Sequence, residues 1–272
     1  MYYVVNVYYS SLDRVNPFAE SSWLAPAIGT PLYLIVVFGG KKLMENREAF
    51  EVDQWMVVYN LYQTLMNMYC VYAFIWEVWN MGEPAWGMVT DLKTSRMSGL
   101  GFVIWLHYNN KYIEFFDTLF MVLRKKNKQI SFLHVYHHFL LVWAWFAVCK
   151  IACGGDAYFG AIMNSFIHVV MYGYYLMSNL KLPCPWKKYV TKLQLLQFVI
   201  CATHASYIIY LGDAYFPPLL AALDIFVMVN MFVLFMKFYM DSYGKKGGKG
   251  SAAKKAEGNK NETNKNESKK GK

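Results

Sequence analysis

The chain has 272 residues, 56% of them hydrophobic and 18% aromatic, which is more apolar than a water-soluble domain of this size carries and points to a membrane protein. Its formal charge of +9 does not indicate a nucleic-acid partner, because the stretch 237–272 alone holds 11 of the 27 lysines and arginines in a low-complexity run. Five scattered cysteines, odd in number and without a CxxC pair, indicate neither a disulfide framework nor a cysteine zinc site; only Cys149 and Cys153 are close enough in sequence to pair at a span end.

In chain order, residues 1–22 mix Tyr, Val and Asn with Asp13, Arg14 and Glu20, unlike a cleavable signal, and read as a retained lumenal segment. Apolar stretches near the roughly 20 residues needed to cross a bilayer follow at 23–39 and 55–79, with tryptophans at several of their ends as in interfacial belts. A third, 100–123, contains Lys111, Glu114, Asp117 and Thr118, which no lipid-facing helix would carry. The fourth, 130–148, holds His134, His137 and His138. After the Gly154-Gly155-Asp156 turn signal come 158–177 with Asn164 and His168, then 189–211, and then 217–238 opened by Pro217 and Pro218. The expected architecture is an all-α integral membrane domain over 23–240 with about seven transmembrane helices, followed by a disordered lysine-rich cytosolic tail at 241–272.

Lysine and arginine sort cleanly between alternate loops. One side gathers Lys41, Lys42, Arg47, the cluster at 124–128, Lys181, Lys187, Lys188, Lys192 and the tail; the other has Arg14, Lys93, Arg96 and Lys150. By the positive-inside rule the tail is cytosolic and, with seven spans, the amino terminus is lumenal. Lys269 and Lys270 fit a dilysine retrieval signal for the endoplasmic reticulum, an address read by a receptor. The sequons at Asn261 and Asn266 are then on the wrong side for glycosylation.

Three polar clusters within apolar spans need one explanation. His134, His137 and His138 fall within a helical arc of roughly 100° and can act on one small space. Lys111, Glu114 and Asp117 form the second cluster, and Asn164, His168 and Tyr172, four residues apart, form a stripe. Taken alone, a lysine and acid pair could neutralise itself for packing, and a lone buried histidine is more often structural. On three different spans together, they argue for a polar chamber inside the bundle.

Histidine-box chemistry has a metal alternative, because membrane di-iron enzymes also use an HxxHH box. This chain has only His107, His134, His137, His138, His168 and His204, with no second box, although one zinc could be held by His137, His138 and His168. The lysine and carboxylate partners suit metal-free acyl transfer at least as well. A seven-span receptor would need no such chamber; a transporter could use intramembrane charge.

KYIEFFDT at 111–118, HVYHH at 134–138, NSFIH at 164–168 with MYGYY at 171–175, and Thr191 with QLLQF at 194–198 resemble, in order and spacing, the ELO family of very-long-chain fatty-acid elongases. The resemblance runs from about Tyr59 to Tyr239; the early loop departs from it, with Lys41, Lys42 and Ala49 near positions where the family often has proline. It implies six of the spans closed as a barrel around an acyl tunnel, and a condensing reaction: acyl-CoA and malonyl-CoA give 3-oxoacyl-CoA, carbon dioxide and CoA, with no cofactor.

The resemblance further implies catalytic roles for Lys111, Glu114, Asp117, His134, His137, His138, Asn164 and His168. Substrate contacts are expected from Gln129, Tyr172, Tyr175, Gln194 and Gln197, with Arg124, Lys125, Lys126, Lys187 and Lys188 toward the CoA phosphates. The positive-inside rule alone explains these basic residues about as well. A neutral imidazole is a competent nucleophile toward a thioester, so His137 is the candidate acyl acceptor, its tautomer fixed by the neighbouring imidazoles. Asn164, His168 or Lys111 could stabilise the enolate formed when malonyl-CoA decarboxylates. Glu114 and Asp117 would orient Lys111 and the histidines. Gln129 and Tyr136 resemble the branch acting on polyunsaturated chains. The implied partners are membrane lipid, the reductases and dehydratase of the elongation cycle, and a second copy in a homodimer.

Overall fold

The computed structural model of the protein describes residues 22–82, 84–88, 99–212 and 216–244. The expectations for the segment before residue 22, for the loop containing Lys93 and Arg96, and for the tail with Asn261, Asn266, Lys269 and Lys270 lie outside the described residues. The helices are α1 (Leu24–Leu43), α2 (Asp53–Met81), α3 (Gly99–Ile113), α4 (Phe115–Leu123), α5 (Phe132–Ala152), α6 (Ala157–Asn179), α7 (Val190–Leu211) and α8 (Pro218–Tyr239). A short 3₁₀ turn (Lys187–Tyr189) leads into α7 and a π turn (Met240–Gly244) follows α8.

Local chemistry sets several boundaries. Ser131 caps α5, its Oγ accepting from the His134 amide at 3.2 Å, so the histidine helix begins at Phe132 rather than two residues earlier as the hydropathy suggested. Pro218 opens α8, where its missing N–H is no loss. Gly82 ends α2 at φ +66, a left-handed position that an L side chain adopts only with strain. The span expected at 100–123 is two helices rather than one. The chain tightens at Glu114, whose carbonyl accepts from Asp117 N three residues on at 3.1 Å, and this re-aims the following turn.

The outward faces are apolar, unlike those of a soluble protein, and the interior combines an apolar core with a set of buried polar side chains. On α1, Leu24, Ile28, Leu32, Ile35 and Phe38 form an exposed stripe at helical spacing. On α2, Trp55, Val58, Leu65, Tyr72 and Trp79 do the same, while Asn60, Gln63 and Asn67 are buried. Trp23, Trp55 and Trp79, at helix ends, are 59%, 69% and 82% exposed, as residues of an interfacial belt would be.

Four stretches, Leu24–Leu43, Phe132–Ala152, Lys187–Leu211 and Pro218–Ser242, are long and apolar enough to cross a membrane by length and composition alone. The other three crossings carry the polar residues of the interior, which lowers their hydropathy but not their reach. At 1.5 Å per residue α2 is about 43 Å long, α6 about 35 Å and α3 with α4 about 36 Å, each sufficient for a hydrocarbon core of about 30 Å.

Helix contacts close a ring: α2 packs on α3, α3 on α5, α5 on α8, α8 on α7, α7 on α6, and α6 back on α2. The molecule is therefore an all-α membrane protein with six crossings in a closed ring. Helix α1 lies outside, against α4 and α5. Small residues let it approach, because a Cβ on Gly29 would sit 2.8 Å from the Tyr112 ring. Tyr33 stacks on Phe115 with centroids 4.3 Å apart.

The end of the ring far from His134 is closed by a polar clasp. Asp156 accepts from the amides of Gly87 at 3.0 Å and Met88 at 2.8 Å, and its Oδ1 lies 3.1 Å from His204 Nε2. Tyr158 donates to the Ala85 carbonyl at 2.5 Å. Below this clasp Phe74, Leu100, Ile104, Phe146, Cys149 and Ile208 fill the largest apolar core, in which Cys149 and Cys153 are not joined in a disulfide.

Candidate active site

Two helices running in the same direction bring the polar stripes together as a ladder. Residues 111, 114 and 117, one turn apart around the α3–α4 junction, meet residues 164, 168 and 172 on α6. Lys111 Nζ donates to Asn164 Oδ1 at 2.8 Å. Glu114 Oε1 lies 3.1 Å from His168 Nδ1, with an approach too oblique for a hydrogen bond. Asp117 Oδ2 accepts from the Tyr172 hydroxyl at 2.6 Å. Within the first strip Lys111 also donates to Glu114 Oε1 at 2.8 Å, and both side chains are buried. A buried charge pair persists when each member is hydrogen-bonded, and Asn164 and Asn110 supply those extra bonds.

The ladder fixes donors as well as charges. Asn164 Oδ1 takes the ammonium, which turns its Nδ2 away as a free N–H pair; His168 Nδ1 faces Glu114, which leaves Nε2 without a described partner. Lys111 has one ammonium proton beyond the two hydrogen bonds it makes here.

Behind the ladder stands a network of amides from α2 and α3 that no sequence motif pointed to. Gln63 Oε1 accepts from Asn110 Nδ2 at 2.8 Å and from Asn67 Nδ2 at 3.3 Å, and Asn110 Nδ2 also lies 3.4 Å from Glu114 Oε1. Gln63 Nε2 donates to the Tyr59 hydroxyl at 3.4 Å, and that hydroxyl is 3.5 Å from the Tyr172 hydroxyl. The available signal was a stripe of Tyr59, Asn60, Gln63 and Asn67 at helical spacing inside an apolar span. Four buried atoms of this region, Asn67 Oδ1, Asn110 Oδ1, Glu114 Oε2 and His168 Nδ1, have no hydrogen-bond partner among the described residues. They are the places where ordered water or substrate would bind.

The histidine triplet enters from α5. His134 Nε2 is 2.7 Å from Thr118 Oγ1, which is itself 3.1 Å from the Tyr33 hydroxyl reaching in from α1. His138 packs edge to face on His134 and His137, with ring centroids 4.6 and 5.1 Å away. The three imidazoles share one space as their spacing predicts. The expectation that they fix one another's tautomers is corrected, because no hydrogen bond joins them. Thr118 orients His134, and the side chains of His137 and His138 make no hydrogen bond to a described residue. Asp117 likewise orients Tyr172 rather than a histidine.

The remaining candidates spread over the His134 end of the ring. Gln129 is exposed in the turn before α5; Tyr175 packs on Tyr172 at 5.9 Å; Gln194 Nε2 lies 3.7 Å from Met171 Sδ; Gln197 is buried on α7. Arg124 is 3.3 Å from Asp53 Oδ1 at the start of α2, and Lys125, at φ +54, donates to the carbonyls of Glu45 at 3.0 Å and Arg47 at 2.9 Å and so ties the α1–α2 loop to the end of α4. Lys187 sits over the Tyr174 ring at 5.3 Å. His107 bridges α3 to α6 through Ser165 at 3.0 Å, and His204 belongs to the far clasp. Among the described residues no three His, Cys, Asp or Glu side chains are grouped closely enough to hold a metal ion, the set His137, His138 and His168 included.

The family model ELO: GNS1/SUR4 family matches residues 18–251. A very long chain fatty acid elongase 5 of Tachysurus fulvidraco is 40% identical over 231 residues, covering 83% of this chain and 76% of the relative. The rat elongase 5 is 38% identical over 242 residues, 85% of this chain and 78% of the relative, and the rat elongase 7 is 35% identical over 256 residues, 89% and 90%. Motifs, closed ring and near full-length similarity agree: the chain belongs to the ELO family of fatty acid elongases.

Proposed function

We propose that the protein is a 3-oxoacyl-CoA synthase: it condenses a long-chain acyl-CoA with malonyl-CoA to give a 3-oxoacyl-CoA two carbons longer, with carbon dioxide and CoA released. The observation that carries the reading is the ladder of Lys111, Glu114 and Asp117 against Asn164, His168 and Tyr172, next to two imidazoles without hydrogen-bond partners. No redox step occurs, and the reaction needs no cofactor beyond its two substrates.

In the first half-reaction an imidazole nitrogen of His137 attacks the thioester carbon. The carbon–sulfur bond breaks, and CoA leaves as the thiol with the proton that the imidazole loses. In the second, malonyl-CoA loses carbon dioxide and its electron pair becomes an enolate, which attacks the acyl-imidazole carbonyl. The imidazole is released and takes a proton from solvent. Asn164 Nδ2 and the remaining Lys111 proton are the donors available to the developing enolate oxygen, held in place before reaction and so costing no reorganisation, while His168, its Nδ1 turned to Glu114, presents Nε2 as an acceptor.

CoA approaches from the His134 end, which is the cytosolic, lysine-rich side in an endoplasmic reticulum membrane. Gln129 and Tyr136 support a preference for polyunsaturated chains, the thioester arm entering past Tyr172 and Tyr175 and the acyl chain running deeper into the ring from His137. The product is consumed by a ketone reduction, a dehydration and an alkene reduction, so the reductases and dehydratase of elongation are the functional partners.

The test is elongation by membranes bearing the chain, with labelled malonyl-CoA and acyl-CoAs of varied length and unsaturation. Intact-protein mass spectrometry after acyl-CoA alone should show an adduct on His137 and a burst of CoA, both lost in His137→Ala. An active enzyme with neither adduct nor burst would instead condense its substrates in a ternary complex.

A further inference from the structure

One carboxylate inside the ring has no use in the chemistry above. A cavity of about 70 Å³ lies between α5, α7 and α8, on the side of the histidines toward the far clasp. Its α5 wall is Leu141, Ala144 and Val148, four, seven and eleven residues after His137 and so on the same helical face. A chain bonded to His137 and extending into the ring would follow that face into the cavity. The opposite wall is α8, which runs antiparallel to α5. Tyr136 meets Asn230 at 3.5 Å, and Asp224, six residues earlier on α8, therefore lies about 9 Å deeper than the reacting end.

The lining is apolar apart from three groups. Asp156 and His204 satisfy each other and the two loop amides of the clasp. Asp224 differs. Its carboxylate lines the cavity, and no described residue gives it a hydrogen bond or an ion pair. A lone acceptor at membrane depth is costly unless something donates to it. Nothing on the neighbouring helices does, although Leu141, Val227 and Met231 beside it are packed as a conventional core.

We propose that this cavity recognises hydroxylated acyl chains, the alkyl stem lying along Leu141, Ala144 and Val148 and a hydroxyl in mid-chain donating to Asp224. The cavity is large enough for one stretch of alkyl chain and one small polar group, not for a charged head group with its hydration. A site with a buried acceptor discriminates in favour of a ligand that satisfies it, whereas a purely apolar wall is nearly indifferent to an added hydroxyl. The inference rests on the reading of the chain as an acyl-CoA condensing enzyme and deepens it by naming a substrate class.

The experiment compares plain and mid-chain hydroxylated acyl-CoAs of one length as competing substrates, and reads the ratio of their kcat/KM values in one enzyme at a time. The wild type should favour one hydroxyl position over its neighbours along the chain. Asp224→Leu should lower the hydroxy-to-plain ratio by about tenfold to a hundredfold, the worth of a hydrogen bond to a charged group. Asp224→Asn, which keeps an acceptor, should retain most of the preference. A ratio equal in all three enzymes overturns the inference while elongation of the plain chain leaves the condensing reading intact. The position scan in the wild type needs no variant, and a flat dependence on hydroxyl position also overturns the inference. If the wild type elongates neither substrate, the condensing reading fails and the inference falls with it.

Discussion

Glu114 is the residue on which the site turns. Its Oε1 meets the Lys111 ammonium at 2.8 Å, the His168 ring at 3.1 Å and the Asn110 amide at 3.4 Å. Removing one partner of a buried pair leaves an uncompensated charge, and about 3–5 kcal/mol is lost. Glu114→Ala should therefore lower the melting temperature in detergent markedly. The double variant Lys111→Met with Glu114→Leu should melt nearer the wild type, because it removes both charges. Equal losses in the single and double variants would show that the pair is not coupled. Asn164 has a different part. Asn164→Ala should reduce kcat by about a hundredfold, the typical effect of deleting one preorganised donor, while KM changes little. A fall in KM-dependent binding alone would place Asn164 in ground-state recognition.

At the scale of the helix, the docking of α1 depends on a close approach without much hydrophobic drive, since lipid is as apolar as the helix. Gly29→Leu would force a side chain into Tyr112 and should destabilise by about 1–3 kcal/mol, read as a lower melting temperature and weaker retention of activity on heating. The same change at Gly39, where a Cβ meets only Ile35 at 3.8 Å, should be nearly neutral. The helices themselves were legible in the sequence, because apolar runs, tryptophan ends and the Gly154-Gly155 turn are local signals. The break at Glu114 was not. Every residue of KYIEFFDT tolerates a helix, and the tightening there follows from side chains that reach partners on α2 and α6. The stripes 111–117 and 164–172 were readable as polar faces, but which residue meets which required the relative rotation of the two helices. Gln63, Asn67 and Asn110 were overlooked because a neutral amide in a long apolar run barely changes its hydropathy. They are visible only once α2 is turned to face the ring. Gln63→Leu tests this face. It strands the Asn110 amide beside Glu114, and kcat should fall about tenfold with KM unchanged if the network positions Glu114.

The whole molecule is a ring in the order α2, α3, α5, α8, α7, α6, and that order could not be read from the chain, because hydropathy fixes crossings but not neighbours. Sidedness follows from crossings alone. The connections 44–52, 124–131, 153–156 and 180–189 are too short to carry a helix back across the membrane, since a return needs about 20 residues. Each successive crossing, α3 with α4 counting as one, is therefore expected to reverse direction, and seven crossings predict that the two ends of the chain lie on opposite faces. Positive charge then decides which face is which. By the positive-inside rule the basic residues described at the His134 end, Lys41, Lys42, Arg124, Lys125, Lys126, Lys187 and Lys188, predict that this face is the cytosolic one. The prediction can be checked by glycosylation in microsomes, where the transferase works only on the lumenal side. On that prediction Asn261 and Asn266, the native sequons near the carboxyl end, should carry no glycan. Tyr8→Thr completes a sequon on Asn6, eighteen residues before α1, and should add one endoglycosidase-sensitive mass step. A glycan at Asn261 or Asn266 with none at Asn6 would invert the topology. It would put the Lys111 to Asp117 ladder and His137 at the lumenal end, away from cytosolic CoA thioesters. Glycans at both ends would mean an even number of crossings and would overturn the seven-span topology.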